Sequence, residues 1–165
     1  MEEKAKKELN QLYMSELITA FVCGALIYVL SESPGGALDI RLILPGAILI
    51  FIILESAGYW FYRHQLAENP GVHYAWIMPL FSFLKKLNPY LFFLYPLLCL
   101  YLLIFYPGSL LVPMNFFGLI LYSFSILENI NYFYYSINFR NLKTKIPSEL
   151  ARDLSLYAKK KGNKS

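Results

Sequence analysis

Two segments of the chain place an acidic residue inside a long apolar run, and the two segments read almost alike. ILESAGYWFY (53–62) and ILENINYFYY (126–135) hold Glu55 and Glu128 at equivalent positions, each followed by tyrosines at i+4 and i+7. On a helix, these spacings put the tyrosines on the face of the acid. A tyrosine hydroxyl donates to a carboxylate and accepts from a protonated carboxyl, so the pattern predicts two polar sites. The candidate ligand- or ion-binding residues are Glu55, Glu128, Tyr59, Tyr132, Tyr62, Tyr135, Asn129 and Asn131.

Three roles for the two acids stay open at this point. They stabilise hydrogen-bond networks between helices, they move an ion or proton or bind a cationic or polar ligand, or they meet a basic residue of a partner subunit. A carboxylate in apolar surroundings is costly, so each role requires both acids to face the bundle interior, a partner or water. The tyrosines also have a simpler explanation, because Tyr and Trp collect at both membrane interfaces.

Composition predicts an all-α integral membrane protein. Of the 165 residues, 57% are hydrophobic and only 16% are charged, whereas soluble domains average about 25% charged residues. A membrane-spanning helix needs about 20 apolar residues, with about 17 as the lower end. Four stretches reach this length, and we expect four transmembrane helices at 13–31, 42–62, 90–106 and 114–135.

The distribution of basic residues predicts the orientation. Fourteen of the fifteen Lys and Arg residues lie before the first span, between the second and third, or after the fourth; only Arg41 lies in the other two connections. Because positively charged loops stay on the cytoplasmic side, we expect the N- and C-termini in the cytoplasm. The predicted location is the cell inner or plasma membrane, with several passes.

An internal repeat extends the opening observation. Sliding the chain on itself by 73 residues aligns ten identical residues within a 35-residue window, including Pro-Gly turns at 34–35 and 107–108. We therefore predict a four-helix transmembrane domain at 1–140, built from two helical-hairpin repeats at about 13–66 and 86–139. Each hairpin returns to its starting side, so the two are parallel, related by a pseudo-twofold axis along the membrane normal.

Two cytoplasmic segments are predicted to contact the membrane surface or a partner. Residues 75–89 (AWIMPLFSFLKKLNP) are apolar and then basic, which favours a segment in the headgroup region; an extended loop on the bundle is the alternative. Residues 141–165 form a basic tail, in which Ser148 caps an amphipathic helix whose late lysines match the helix dipole. The surface-contact candidates are Trp76, Lys85, Lys86, Lys159, Lys160 and Lys161.

Sequence patterns for catalysis or metal binding are missing. The chain has no GxSxG, no phosphate-binding glycine loop and no Asp/Glu/His cluster with the spacing of metal ligands. Cys23 and Cys99 form no CxxC pair and are expected to pack in the core. We therefore expect no enzyme activity, no metal and no cofactor, and we expect no nucleic-acid partner.

Two functions fit this sequence. The first is a small transport or channel-type component whose paired intramembrane carboxylates line a polar, cytoplasm-facing cavity. The second is a non-catalytic membrane adaptor or sensor subunit that binds a partner protein through its spans or its cytoplasmic tail. The expected partners are the lipid bilayer and either further copies of the chain or a larger membrane complex, because four spans enclose little volume. A water-accessible cavity that reaches the acids favours transport; a buried acid pair with an exposed, mobile tail favours the adaptor.

Overall fold

The structure, a computed structural model, describes residues 2–31, 39–69, 75–137 and 146–162. These ranges form five α-helices, α1 (Glu2–Ser31), α2 (Ile40–Glu68), α3 (Ile77–Phe105), α4 (Pro113–Phe133) and α5 (Glu149–Gly162), with a short 3₁₀ helix at Pro107–Leu111. Within them no strand is present beyond one isolated bridge between Tyr135 and Pro147. The all-α prediction is confirmed. The predicted turn at 34–35, the end of the second repeat at 138–139, and residues 141–145 and 163–165 of the tail lie outside the described residues.

Three helices of the described chain are long and apolar enough to cross a membrane: α1, α2 and α3. They indicate a membrane location. The helices α2 and α3 have 29 residues each, and at 1.5 Å per residue each is about 43 Å long, against about 30 Å of hydrocarbon. The helix α4 has 21 residues but interrupts its apolar sequence with Glu128 and several Asn and Ser residues. The fourth span stays a prediction.

The central helix of the bundle is α2. In the most apolar window of α2, 56% is buried inside the protein, compared with 17% in α1 and in α3. The helices α1 and α4 pack along α2 over much of their length, whereas α3 packs more lightly against α2 and α4. Most of the apolar surface of α1 and α3 therefore faces outward, where a bilayer would cover it.

Contacts at the two ends of α2 fix the directions of its neighbours. At the end we call the Arg41 end, Arg41 Nη1 donates to the Ser109 carbonyl at 2.9 Å. At the opposite end, the Arg63 end, the rings of Tyr13 and Phe61 lie 5.1 Å apart. The helices α1 and α3 thus run in one direction and α2 and α4 in the other. The hairpin α1–α2 is packed far more closely than α3–α4, and the repeat arrangement stays a prediction.

Two helix starts follow from capping residues in the sequence. The Asp39 carboxylate accepts from the backbone N–H of Arg41 at 3.0 Å and caps α2. The Arg41 guanidinium also donates to Asp39, at 2.8 and 2.6 Å, which holds the pKa of the Asp39 carboxyl below its ordinary value. The Ser148 hydroxyl accepts from the N–H of Ala151 at 3.1 Å and caps α5, as the sequence predicts.

Three prolines lie inside the helices, and one of them shows how the bundle adapts. Pro45 lies in α2, and Pro89 and Pro96 lie in α3. A proline has no N–H for the carbonyl four residues earlier, so Pro96 leaves the Phe92 carbonyl without its usual donor. The Tyr122 hydroxyl of α4 donates to that carbonyl at 3.0 Å. This bond attaches α3 to α4 at a backbone position that a proline has freed.

The segment predicted to lie at the membrane surface is helical in the structure. Trp76 precedes the first residue of α3, and the helix continues through Pro89 to Phe105 without a break. Residues 77–89 and the predicted third span at 90–106 therefore belong to one helix. The alternative of an extended loop is wrong for this segment.

Candidate functional site

The Glu55 side chain lies in the centre of the bundle within a cluster of three polar residues. Its Oε2 atom accepts from Asn88 Nδ2 of α3 at 2.8 Å, and the same Nδ2 donates to Asn129 Oδ1 of α4 at 3.0 Å. Glu55 and Asn129 are each 6% exposed, and Asn88 is fully buried. We call these three residues the buried polar cluster. It links the three helices α2, α3 and α4 through side chains alone.

Two oxygen atoms of the buried polar cluster have no hydrogen-bond partner among the described residues. They are Glu55 Oε1 and Asn88 Oδ1, and both are shielded from solvent. A buried polar group without a partner costs about 1–3 kcal/mol. Both atoms are acceptors when the carboxyl is ionised, so what satisfies them is a proton, a cation or a bound water molecule that donates to them. The cluster therefore presents two buried oxygen acceptors to a hydrogen-bond donor or a cation.

The second predicted acid has a different environment. Glu128 is half-buried, and the carboxylate close enough to repel it is Glu16 of α1. Glu16 accepts from the Tyr132 hydroxyl at 2.6 Å. The structure thus gives Glu128 an acidic neighbour, while Glu55 has carboxamide partners. The two equivalent sites predicted from the repeated phrase are built from different residues.

The tyrosines that follow the acids bond to other carboxylates. The Tyr59 hydroxyl donates to Asp153 Oδ2 of α5 at 2.8 Å, and Arg63 Nη1 lies 3.0 Å from the same oxygen. Tyr59 is 2% exposed, and its buried hydroxyl also accepts from Arg63 Nη1 at 3.2 Å. We call Tyr59, Arg63 and Asp153 the α5 clamp. The i+4 spacing puts Tyr59 one turn after Glu55 on α2, but its hydroxyl bonds to α5 and not to Glu55.

A cavity at the Arg63 end brings three predicted site residues together. Its volume is about 430 Å³, and Tyr59, Asn131 and Tyr132 contribute to its lining. Ser148, Glu149 and Arg152 from the beginning of α5 complete its polar side. Of its lining residues, Tyr59 lies nearest to Glu55 along α2, one helical turn after it. Neither Glu55 nor Glu128 lines it.

The remaining ligand-site candidates have structural contacts of their own. Tyr62 is buried in an apolar cluster with Phe81, Phe133 and the leucines of α5. The Asn131 side chain accepts from the N–H of Ile137 at 2.9 Å and so closes the turn after α4. Tyr135 is exposed and pairs with Pro147 in the isolated bridge. These three contacts organise the Arg63 end; Asn129 alone of the predicted asparagines reaches Glu55 through Asn88.

The surface-contact candidates surround the same end. Trp76 is 63% exposed and borders an apolar cavity of about 410 Å³ between α2 and α3. Lys85 is half-buried with its Nζ 4.5 Å from the centre of the Tyr134 ring, whereas Lys86 is exposed. Lys159, Lys160 and Lys161 are exposed in the last turn of α5. All six lie at the Arg63 end or on α5.

The contacts of the site also involve residues that were not among the sequence candidates, namely Asn88, Glu16, Asp153 and Arg63. Asn88 lies in LKKLNPY, where two lysines and a proline favour a surface segment. The sequence signal that could have identified Asn88 is its carboxamide, which lies two residues before the start of the predicted third span. Glu16 belongs to the charged N-terminal segment, although it falls inside the predicted first span. Asp153 lies near the start of the predicted tail helix, and its partner Tyr59 is 94 positions away, a separation at which helical spacing carries no information.

Within the described ranges no group of three or more His, Cys, Asp or Glu side chains is placed to hold a metal ion. Comparison with protein-family models, with curated proteins and with solved structures finds no match to this chain. The function therefore has to be argued from the buried polar cluster and its surroundings.

Proposed function

We propose that the chain is a transport or channel-type component of the membrane whose working site is the buried polar cluster, with Glu55 as the group that binds a proton or a small cation. The observation that carries the proposal is the pair of buried acceptors, Glu55 Oε1 and Asn88 Oδ1, which no described residue satisfies. An ionisable residue inside a membrane protein is costly and usually functional. A purely structural polar cluster stabilises the fold most when each of its polar atoms has a hydrogen-bond partner.

The cavity at the Arg63 end supplies the approach to this site in the proposal. It is polar on the side of α5, and Tyr59, which lines it, follows Glu55 by one helical turn on α2. Glu16, which accepts from the Tyr132 hydroxyl, and Glu128 add two carboxylates near the Tyr132 side of the cavity, where a cation would be attracted to them. Passage to Glu55 requires movement of Tyr59, whose hydroxyl the α5 clamp holds.

The membrane arrangement completes the proposal. Four spans form two parallel hairpin repeats, the Arg63 end and both termini face the cytoplasm, and α5 lies on that side. The supports are the fourteen basic residues on that side of the spans and the positive-inside rule. Because a single four-helix bundle encloses little volume, the transporting unit is a homo-oligomer or part of a larger membrane complex. The proposal includes no catalytic step and no cofactor.

Ion flux in reconstituted vesicles tests the role of Glu55. In Glu55→Gln the amide oxygen still accepts from Asn88, while the new NH₂ group takes the position of the unpartnered oxygen. We therefore expect unchanged or higher thermal stability together with loss of proton, Na⁺ or K⁺ flux. Glu8→Gln is the matched control, because Glu8 is exposed on α1 and the chemical change is the same. Its flux should equal that of the original protein.

Glu128→Gln and the double variant complete the experiment. Glu128 is half-buried beside Glu16 and outside the buried polar cluster, so its replacement should reduce flux less than Glu55→Gln does. Undiminished flux in the double variant, or absence of flux from the original protein in a monodisperse preparation, would overturn the transport proposal.

A membrane adaptor is the second candidate function, and α5 favours it. Leu150 and Leu154 of α5 are buried against the bundle, while Leu156 is 57% exposed, which leaves an apolar contact for a partner protein. A photoreactive residue at position 156 should then cross-link to one defined protein in cells. Silent Glu55→Gln and Glu128→Gln variants together with such a cross-link would favour the adaptor.

A further inference from the structure

A cleft between α3 and α5 collects positive charge and hydroxyl groups. Its volume is about 430 Å³, and its polar lining consists of Lys86 and Ser82 from α3 with Lys161 and Tyr157 from α5. None of the residues that line it is acidic. Two ammonium groups and two hydroxyls from separate helices are suited to the oxygens of a phosphate group.

The lysines of this cleft are available to a ligand. Among the described residues, the ion pairs of the protein involve neither Lys86 nor Lys161. The preceding lysine, Lys85, is turned away onto the ring of Tyr134, so the two neighbouring lysines have different contacts. The last turn of α5 carries three lysines. Their positive charge is larger than the partial negative charge of about 0.5 at the C-terminal end of a helix, so this end of α5 is positively charged.

The floor of the cleft is fixed to the bundle. Leu154 lines the cleft and is only 7% exposed, because it packs in the apolar cluster with Phe81 and Phe133. The α5 clamp holds the same helix one position earlier, at Asp153. The cleft is therefore a formed feature of the docked α5 helix.

An exposed apolar stripe leads away from the cleft along α3. Tyr90, Phe93 and Leu97 follow Lys86 at i+4, i+7 and i+11, which puts them on its face, and they are 71%, 64% and 58% exposed. From Lys86 to Phe105 the helix rises about 28 Å, close to the roughly 30 Å of a hydrocarbon layer. Lys86 thus stands where a headgroup would be if Phe105 reaches the opposite interface.

We propose that this cleft binds the phosphate group of an anionic phospholipid, with the acyl chains along the Tyr90–Phe93–Leu97 stripe. The stripe favours a lipid over a soluble phosphate compound, because a soluble ligand has no use for an apolar surface that begins at the cation. Basic pockets between helices near the membrane surface bind lipid headgroups by the same attraction. The proposal is independent of transport by the buried polar cluster.

Lipid binding to the purified protein in detergent tests the site. Phosphatidylglycerol, phosphatidylcholine and the soluble compounds glycerol phosphate and inorganic phosphate are titrated separately, with bound lipid measured by native mass spectrometry and thermal unfolding measured in parallel. We expect preferential binding of phosphatidylglycerol. Each lysine near an anionic surface contributes about 1 kcal/mol, so the Lys86→Gln/Lys161→Gln variant should bind it about 30-fold more weakly.

The matched control is Lys159→Gln/Lys160→Gln, which removes the same total charge of two lysines, both from α5 and neither from the cleft lining. It should keep most of the preference for phosphatidylglycerol. An equal loss in both variants would mean general attraction to the basic surface and would overturn the site. Equal binding of phosphatidylcholine, or equal stabilisation by inorganic phosphate or glycerol phosphate, would overturn the assignment to an anionic lipid.

Discussion

Replacing Gly118 by alanine tests the contact that holds α4 against the beginning of α2. A Cβ atom at Gly118 would lie 2.1 Å from the Arg41 carbonyl oxygen and 2.6 Å from the Tyr95 hydroxyl. That carbonyl is the one that Pro45 leaves without an intrahelical donor, so the backbone of α4 approaches a freed backbone group of α2. Carbon–oxygen contacts between helices are usually about 3.3–3.6 Å. The helices would have to separate by about 1 Å.

The cost of Gly118→Ala follows from this geometry. Overpacking costs about 1–3 kcal/mol, and a clash with backbone belongs at the upper end because backbone cannot rotate away as a side chain can. Alanine in place of glycine recovers up to about 1 kcal/mol of helix propensity. We expect a net loss of about 2 kcal/mol in the free energy of unfolding.

Thermal unfolding of the purified protein in detergent, followed by its two tryptophans, measures the effect. Gly24→Ala is the control, since its Cβ would meet its nearest neighbour, the Ile50 side chain, at an ordinary 3.6 Å. This variant should be as stable as the original protein or up to about 1 kcal/mol more stable. If Gly118→Ala is also stabilised, α4 does not approach the Arg41 carbonyl, and the packing of α2 and α4 described above is wrong.

Two further perturbations test individual contacts. Tyr122→Phe removes the donor to the Phe92 carbonyl and should lower the free energy of unfolding by about 0.6–1.7 kcal/mol. Adding Pro96→Ala restores a backbone N–H for that carbonyl, so the double variant should be more stable than Tyr122→Phe alone. A double variant that is no more stable would refute the role given to Tyr122. The pKa of the Asp39 carboxyl is lower in the folded protein than its ordinary value of 3.8. The charged carboxylate therefore stabilises the fold fully above pH 3.8, and this stabilisation is lost as the pH falls through the lower pKa of the folded protein. Asp39→Asn keeps the cap but not the charge, so unfolding curves should show it less stable than the original protein at pH 7, with the difference disappearing below pH 3.8; a difference independent of pH would contradict this assignment.

The sequence predicts those features that depend on neighbouring residues. The Ser148 cap and the buried Leu150 and Leu154 stripe of α5 follow from local spacing, and both are observed. The burial of Glu55 follows from the cost of a carboxylate in apolar surroundings. Each of these depends on residues within a few turns of one helix or on the solvent expected around it.

The partners of the polar groups could not be predicted in the same way. Asn88 is 33 positions from Glu55 in the sequence and 41 positions from Asn129, and it bonds to both. Only the packing of three helices brings these residues together. Two lysines and Pro89 favour a surface segment at 85–89, yet α3 continues through them because its neighbours α2 and α5 pack against its first turns. Local propensity was overridden there by tertiary contacts, as often happens for proline-containing helices in membrane proteins.

The docking of α5 has a consequence for the order of folding. Tyr59, Phe81 and Phe133 come from three helices, and the leucines that complete their apolar cluster come from α5, which follows all three in the chain. The apolar cluster at this end of the bundle can therefore form only after α5 has been synthesised, however early the other helices enter the membrane. Until then an aromatic surface stays open to water, and exposed apolar surface of this kind attracts chaperones and proteases. A chain interrupted before residue 149 would lack Leu150 and Leu154 and would keep that surface uncovered.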